Sequence, residues 1–464
     1  MKKSKYIYFF DLPDNLLGYS WLSDKYILFK KNEKDNVNRI LNSPDDIFTQ
    51  EDRDIYKTLI DKKFLVPFYF NEFYFLINKR NQHIHREDIL NLFILPTMSC
   101  NLNCSYCYEA HPKLSSSKIS NSVIASIKNL INNKLDTLKL LQISWFGGEP
   151  LMLPNHVINL SNFFQDRCKE KNVKFINQMT TNGVLLNKKI IKELSNVGIH
   201  FLQITIDGFK EWHDQVRVNK VKKPTFKTII ENIECYINEN RDNKVLLRIH
   251  IPDNINEKYI NKTLEVLSEI KEEIREQISI SFQPVFDSCI DNWSNSQSNK
   301  IVATTLKDYH SSKKISIDYG YLYDEVKSYG YSFPQKRNFR DLVGCYAELN
   351  WSWAIRPDGY LNKCTVSIEK EHSQAKLTKT GITYFSEKKF DYKIKDIEAL
   401  LQIKCKDCNY LPLCWMKCPK HILDQYLNNN LNLNQCKVPF GIETMLEEIK
   451  NRYFNELTNS FYEN

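Results

Sequence analysis

Apolar and polar positions change rhythm near residue 91. Before it, short strand-like apolar runs at 6–10, 26–29 and 73–77 flank helical stretches near 36–41 and 51–64, and a Ser43-Pro44-Asp45 turn separates the helices. This predicts a small α+β unit over residues 1–90 with no catalytic constellation. From 91 onward, strands and helices alternate. Strands are expected at 92–96, 140–146, 174–180, 201–206, 245–251 and 278–285, with helices near 118–133, 155–171, 188–197, 226–240 and 258–274. Six strands with intervening helices imply parallel βαβ units over 91–285, either doubly wound or an incomplete barrel.

Periodicity fades after that. Residues 286–344 are rich in Ser, Asn and Tyr and read as a bridge with one or two helices. Residues 345–440 carry few continuous elements, and 441–464 include a closing helix near 443–455. The expected fold class is therefore α/β: a partial (β/α)6 barrel with a small N-terminal α+β domain and a cysteine-rich C-terminal domain.

Composition narrows the function. Of 464 residues, 42% are hydrophobic and 12% aromatic, which excludes a disordered or collagen-like chain. No apolar run reaches the roughly 18 residues of a membrane span. The basic, apolar start MKKSKYIYFF is cut short by Asp11 and Asp14, unlike a secretory signal. A cytoplasmic location and no membrane partner are expected. The net charge of +8 is mild and interspersed, giving little support for nucleic acid.

Cysteine usage changes the picture most. There are 13, an odd number, and their close spacings favour metal ligation over a disulfide framework. Cys100, Cys104 and Cys107 form one group, and Cys345, Cys364, Cys405, Cys408, Cys414, Cys418 and Cys436 a second. Cys168, Cys235 and Cys289 stand alone as buried apolar residues. Three thiolates on one short loop suit three corners of an iron–sulfur cube, leaving one iron open for chemistry. The alternative is a zinc knuckle with His111 as fourth ligand.

Position adds weight to the cluster. The triplet follows the first parallel strand, Gly147-Gly148-Glu149-Pro150 the second, Thr181-Asn182-Gly183 the third and Asp207-Gly208 the fourth. Ligands of α/β sheets and barrels bind at these carboxyl ends. Each segment also has a plain turn or cap reading, but in register they favour a site. Gly147 and Gly148 would let backbone groups approach a ligand, and Glu149 would accept from an ammonium group.

Through Cys100, Cys104, Tyr106, Cys107 and the Gly147–Pro150 segment, the sequence resembles the radical S-adenosylmethionine superfamily. The resemblance implies a 4Fe-4S cluster on the three cysteines, with its open iron chelated by S-adenosylmethionine. One-electron reduction then gives a 5′-deoxyadenosyl radical that abstracts hydrogen from substrate, with a reductant such as ferredoxin or flavodoxin. It also implies cofactor contacts from Gly147, Gly148, Glu149, Pro150, Asn182, Thr205, Asp207 and Arg217, with Thr205 and Arg217 as carboxylate holders or as packing and surface residues. No catalytic acid or base is identified.

The second cysteine group, with Gly359 between Cys345 and Cys364, resembles the SPASM domain, which carries two auxiliary 4Fe-4S clusters. That resemblance assigns Cys405, Cys408, Cys414 and Cys436 to an outer cluster and Cys345, Cys364 and Cys418 to an inner one with an open iron, making three clusters. Zinc ribbons are the alternative. Enzymes of this grouping mature ribosomal peptides or sulfatases. In the sulfatase branch an Asp follows the second auxiliary cysteine, whereas here Thr365 follows Cys364. Thioether or carbon–carbon crosslinking of a precursor peptide is thus the expected function. Formylglycine formation in a sulfatase is the alternative, and a non-catalytic metal-binding redox module the alternative of another class. Residues 1–90 would bind the leader by strand addition or simply cap the barrel.

Overall fold

The computed structural model describes residues 1–46, 49–107, 117–219, 221, 223–251, 257–284, 325–332, 340–385, 398, 400–403, 405–415, 446 and 449–454. His111, Cys289, Cys418 and Cys436 lie outside the described residues, as do most of the expected bridge and much of the closing helix.

The described residues fall into two compact units. The first joins Met1–Arg86 to Arg337–Asn350 and Tyr392–Asn464. Its first strand, β1 (Lys2–Lys3), pairs with β5 (Leu65–Val66), while β2 (Ile7–Asp11), β3 (Asn15–Ser20) and β4 (Lys25–Lys30) form an antiparallel sheet in that order. Helices α1 (Lys34–Asn42) and α2 (Gln50–Asp61) fall where expected. Thr49 starts α2 with a capping box: its hydroxyl accepts the Asp52 N–H at 3.0 Å, and Asp52 accepts the Thr49 N–H at 2.9 Å.

The run at 73–77, expected as a strand, lies in helix α3 (Glu72–Ile84). Its aromatics have high strand propensity, but Phe73, Leu76, Ile77, Arg80 and Ile84 are all buried, the spacing of one helical face. Tertiary burial overrides propensity here. That face enters a core in which Tyr6, Tyr19, Trp21 and Leu76 pack with Leu400, Leu411, Leu413, Trp415 and Ile449. The N-terminal region and the stretch carrying Cys405, Cys408 and Cys414 thus share one core.

The second unit joins Glu87–Lys336 to Trp351–Asp391. Strands β6 (Ile89–Ile94), β7 (Leu140–Trp145), β8 (Lys174–Thr181), β9 (Ile199–Ile206), β10 (Lys244–Ile251) and β11 (Ile278–Pro284) are parallel and adjacent in chain order. The crossovers are α4 (Asn121–Lys134), α5 (Pro154–Glu170), α6 (Lys188–Asn196), α7 (Lys210–Val216) with α8 (Phe226–Glu239), and α9 (Glu257–Glu269) with α10 (Glu272–Arg275). The short α7 was not foreseen.

The choice between a doubly wound sheet and an incomplete barrel is settled by alternation. Leu202, Ile204, Ile206, Val245, Leu247 and Ile249 are buried in the helix-packed core, whereas Gln203, Thr205, Arg248 and His250 on the other face are only partly buried and polar. A doubly wound sheet would bury both faces. One apolar and one polar face make an open (β/α)6 barrel.

Four further strands extend this sheet beyond β6, in a region expected to hold few regular elements. β12 (Ser352–Ile355) pairs in parallel with β6, and β13 (Tyr360–Asn362), β14 (Ala375–Thr378) and β15 (Gly381–Tyr384) follow as antiparallel neighbours. Each has three or four residues, too few for a period-2 pattern to register. Trp353, Ile355, Leu361, Ala375 and Leu377 nonetheless join the barrel's core.

Because Tyr6, Tyr19 and Trp21 complete the core around Leu411, Leu413 and Trp415, a chain lacking residues 1–86 is expected to lose thermal stability and to expose apolar surface. Differential scanning calorimetry with a dye-binding assay checks this; an unchanged melting profile in the truncated chain would contradict it.

Candidate active site

The loop after β6 carries the first three cysteines and is held on both sides by strand-like pairing. On one side the Gly148 N–H donates to the Thr97 carbonyl at 3.1 Å and the Glu149 N–H to the Ser99 carbonyl at 2.9 Å. On the other, the Asn103 N–H donates to the Val218 carbonyl at 2.7 Å and the Ser105 N–H to the Val216 carbonyl at 3.1 Å. A Leu102–Asn219 bridge continues the second pairing.

The glycines at 147 and 148 follow from the first pairing. Gly147 has φ +104°, in the left-handed region, and a Cβ there would meet the Thr97 carbonyl at 2.6 Å. At Gly148 a Cβ would lie 2.4 Å from the Ser99 carbonyl and 2.6 Å from that of Met98. Both glycines are required for the chain to run beside the cysteine loop.

Glu149 is turned inward. Its carboxylate is fully buried and accepts from the Leu151 N–H at 2.9 Å, the Thr181 hydroxyl at 2.8 Å and the Asn182 N–H at 2.7 Å. It ties the second strand-end loop to the third, a role that the expected ammonium acceptor did not anticipate. Burial raises its pKa, against which these donors act. Pro150 opens the turn Pro150–Met152 beside it.

Asn182 reaches the cysteine loop directly. Its side-chain amide donates to Asn101 Oδ1 at 2.7 Å and lies 3.6 Å from Cys100 Sγ, which also accepts the Leu102 N–H at 3.4 Å. Burial, then the Glu149 charge, pushes the Cys100 thiol up to about 12. Burial likewise raises Cys104, against the opposing charge of Arg217.

A buried charge network lies behind the loop. The Tyr106 hydroxyl donates to Asp207 Oδ2 at 2.7 Å, accepts from Arg217 at 2.7 Å and lies 3.1 Å from His250 Nδ1. Arg217 Nε stands 3.6 Å from Asp207 Oδ2, and His250 Nδ1 3.5 Å from Asp207 Oδ1. Burial pushes the Asp207 carboxyl up, but the His250 hydrogen bond and the Arg217 charge hold it below the usual range. His213 accepts the Asp207 N–H at 3.2 Å through Nδ1 and meets Thr225 Oγ1 at 3.1 Å through Nε2. Burial, aided by Arg217, lowers its pKa to about 4, so it is a neutral strut.

Of the expected residues, the barrel thus brings together Cys100, Cys104, Cys107, Gly147, Gly148, Glu149, Pro150, Asn182, Asp207 and Arg217. Arg217 is buried, which excludes a surface role. Thr205 lies on the polar face, in register with Arg248. His213 and His250 were missed. His250 obeys the same strand-end rule, being the penultimate residue of β10.

The second cysteine group divides between the units. Cys345 lies in the first; its N–H and that of Gly344 donate to Glu348 Oε1 at 2.9 and 2.8 Å, and Glu348 is paired with buried Arg80. Cys405, Cys408 and Cys414 share that unit, where the Tyr8 hydroxyl donates to the Asn409 carbonyl at 2.9 Å and Lys5 pairs with Asp407 at 2.7 Å. Cys364 follows β13 in the second unit, and its Sγ accepts the Val366 N–H at 3.4 Å, as Cys100 accepts that of Leu102.

Among the described residues, no three His, Cys, Asp or Glu side chains converge on a point as ligands of a single ion would. The fit of the Cys100–Cys107 loop to an iron–sulfur cube rests on its donors. Buried thiols whose ionisation is disfavoured become stable thiolates when a cation ligates them.

Comparison with known proteins agrees with this geometry. Residues 94–267 match the model of the Radical SAM superfamily. A cysteine-type anaerobic sulfatase-maturating enzyme of Clostridium novyi is 23% identical over 369 residues, 72% of this chain and 88% of that protein. A serine-type counterpart of Bacteroides thetaiotaomicron is 31% identical over 149 residues, 29% of this chain and 33% of its own length. The fold also resembles native anSMEcpe solved with bound AdoMet and the Cp18Cys peptide, with a TM-score of 0.51 at 19% identity over 80% of this chain and 98% of that one. No helix among the described residues is long and apolar enough to cross a membrane.

Gly148→Ala is expected to destabilise the protein by at least about 1–3 kcal/mol, because its Cβ would press on backbone rather than on a movable side chain. It should also lower iron uptake at the loop. Thermal denaturation and iron analysis check this; full iron loading at wild-type stability would contradict it.

Proposed function

The protein is a radical SAM enzyme, and we propose that its substrate is a ribosomally made peptide in which it installs a thioether or carbon–carbon crosslink. The observation that carries the reading is the cysteine loop, seated at the carboxyl ends of the parallel strands and pinned to Gly148–Glu149 and to residues 216–219. When bound, the cluster and S-adenosylmethionine supply reductive sulfonium cleavage and, through it, hydrogen abstraction from substrate.

The chain's own residues have distinct tasks. Cys100, Cys104 and Cys107 hold the cluster. Gly147 and Gly148 give the backbone room beside it, and Glu149 fixes the second and third strand-end loops to one another. Asn182 orients Asn101 and Cys100. Thr205, on the polar face of the barrel, is a cofactor contact, and Asp207 fixes Tyr106 behind the loop.

Peptide modification is supported by the similarity to sulfatase-maturating enzymes over most of the Clostridium novyi protein's length. The same similarity favours a second reading, formylglycine formation in a sulfatase. Thr365 weighs against it, since the resemblance drawn from the sequence places an Asp at that position in the sulfatase branch.

Two auxiliary clusters belong to the proposal: an outer one on Cys405, Cys408, Cys414 and Cys436, and an inner one on Cys345, Cys364 and Cys418. The Cys345 N–H held by Glu348 and the Cys364 Sγ that accepts the Val366 N–H are consistent with ligand loops. Leader binding falls to residues 1–90. β4, which holds residues 26–29, is an edge strand of its sheet among the described residues and is the candidate for strand addition; residues 73–77, being helical, are withdrawn from that role. A ferredoxin- or flavodoxin-type protein is the proposed reductant.

Anaerobically reconstituted protein with S-adenosylmethionine and dithionite is expected to yield 5′-deoxyadenosine by mass spectrometry, with about 12 irons per chain for three cubes. The Cys100→Ala, Cys104→Ala, Cys107→Ala variant should yield none and should lose about four irons. An iron-loaded wild type that makes no 5′-deoxyadenosine, with or without peptide, would contradict the proposal.

A further inference from the structure

The pairing of residues 102–105 with 216–219 has a geometric consequence. The Asn103 N–H meets the Val218 carbonyl and the Ser105 N–H meets the Val216 carbonyl, so Cys104 stands directly across from Arg217. Residues opposite one another between two such hydrogen-bonded pairs come closest, with side chains on the same face. A cation is thereby placed beside one cysteine of the triplet. The guanidinium is buried, donates to Tyr106 and faces Asp207 through Nε, which has no hydrogen-bond partner.

We propose that Arg217 and Asp207 act as an opposed charge pair that sets the reduction potential of the cluster held by Cys100, Cys104 and Cys107. A buried cation favours the reduced, more negative cluster, and a buried anion disfavours it. Arg217 is the nearer of the two to the cysteine loop by backbone register; Asp207 is joined to it through Tyr106. Neither residue need touch S-adenosylmethionine for this role, so both are positioning residues.

This inference rests on the reading that the triplet holds the cluster. Wild-type iron content and the electron paramagnetic resonance signal of the reduced cluster test that reading separately.

The test is a redox titration followed by electron paramagnetic resonance, without substrate, on protein whose Cys405→Ala, Cys408→Ala and Cys414→Ala changes remove the outer signal. The same titration on the intact chain serves as control. Arg217→Gln is expected to move the midpoint to more negative potential, and Asp207→Asn to more positive potential. Arg217→Lys, which keeps the charge, should stay nearer the wild type than Arg217→Gln.

Opposite shifts are the signature, because a merely structural role would move both midpoints in one direction or neither. If Arg217→Gln fails to take up iron, Asp207→Asn alone still decides: a midpoint that does not rise overturns the proposal. Unchanged midpoints with a raised KM for S-adenosylmethionine would also overturn it and would make Arg217 a holder of the cofactor's carboxylate.

Discussion

The constraint on which the site depends is the backbone pairing of residues 97–105. This segment leaves β6 as an irregular loop, yet its N–H and carbonyl groups are taken up on one side by Gly148 and Glu149 and on the other by residues 216–219. An eight-residue cysteine loop without those partners would hold three thiols in no fixed arrangement, and buried backbone groups would lack hydrogen bonds. With them, its first part is tied to Gly148 and Glu149 and its middle to residues 216–219. The glycines and the position of Arg217 follow from that arrangement.

The electrostatics are consistent with it. Burial disfavours free thiolates at Cys100 and Cys104, and ligation of a cation would stabilise them. Behind the loop, the Tyr106 hydroxyl links Arg217, Asp207 and His250 in a region largely closed to water, where removing one charge of the Arg217–Asp207 pair would be costly. Neutral His213 supports the Asp207 backbone without adding charge. Gln203, Thr205 and Arg248 share the polar face of the sheet on which His250 lies.

Much of the fold was legible because parallel strands buried among helices are written as short apolar runs between amphipathic ones. All six barrel strands lie within a few residues of the expected bounds, and the strand-end rule located the cysteine loop, Gly147, Gly148, Asn182 and Asp207. Other features depend on contacts that the chain does not encode locally. The aromatic run at 73–77 reads as a strand until its burial at helical spacing is seen. β12 to β15 are too short for a period, and their apolar residues count only once they join the barrel core. The direction in which Glu149 points, inward to Thr181 and Asn182, is a matter of packing. The first compact unit draws on three separate stretches of chain, which no composition shift announces.

Mössbauer spectroscopy of the iron-reconstituted protein, before and after addition of S-adenosylmethionine, tests the central claim most directly: that the pinned loop holds a cube with one open iron. The account predicts that a distinct iron site changes its parameters when S-adenosylmethionine binds, and that this change is absent when Cys100, Cys104 and Cys107 are replaced by Ala. A spectrum indifferent to S-adenosylmethionine, or a loop that takes up zinc in place of iron, would contradict it.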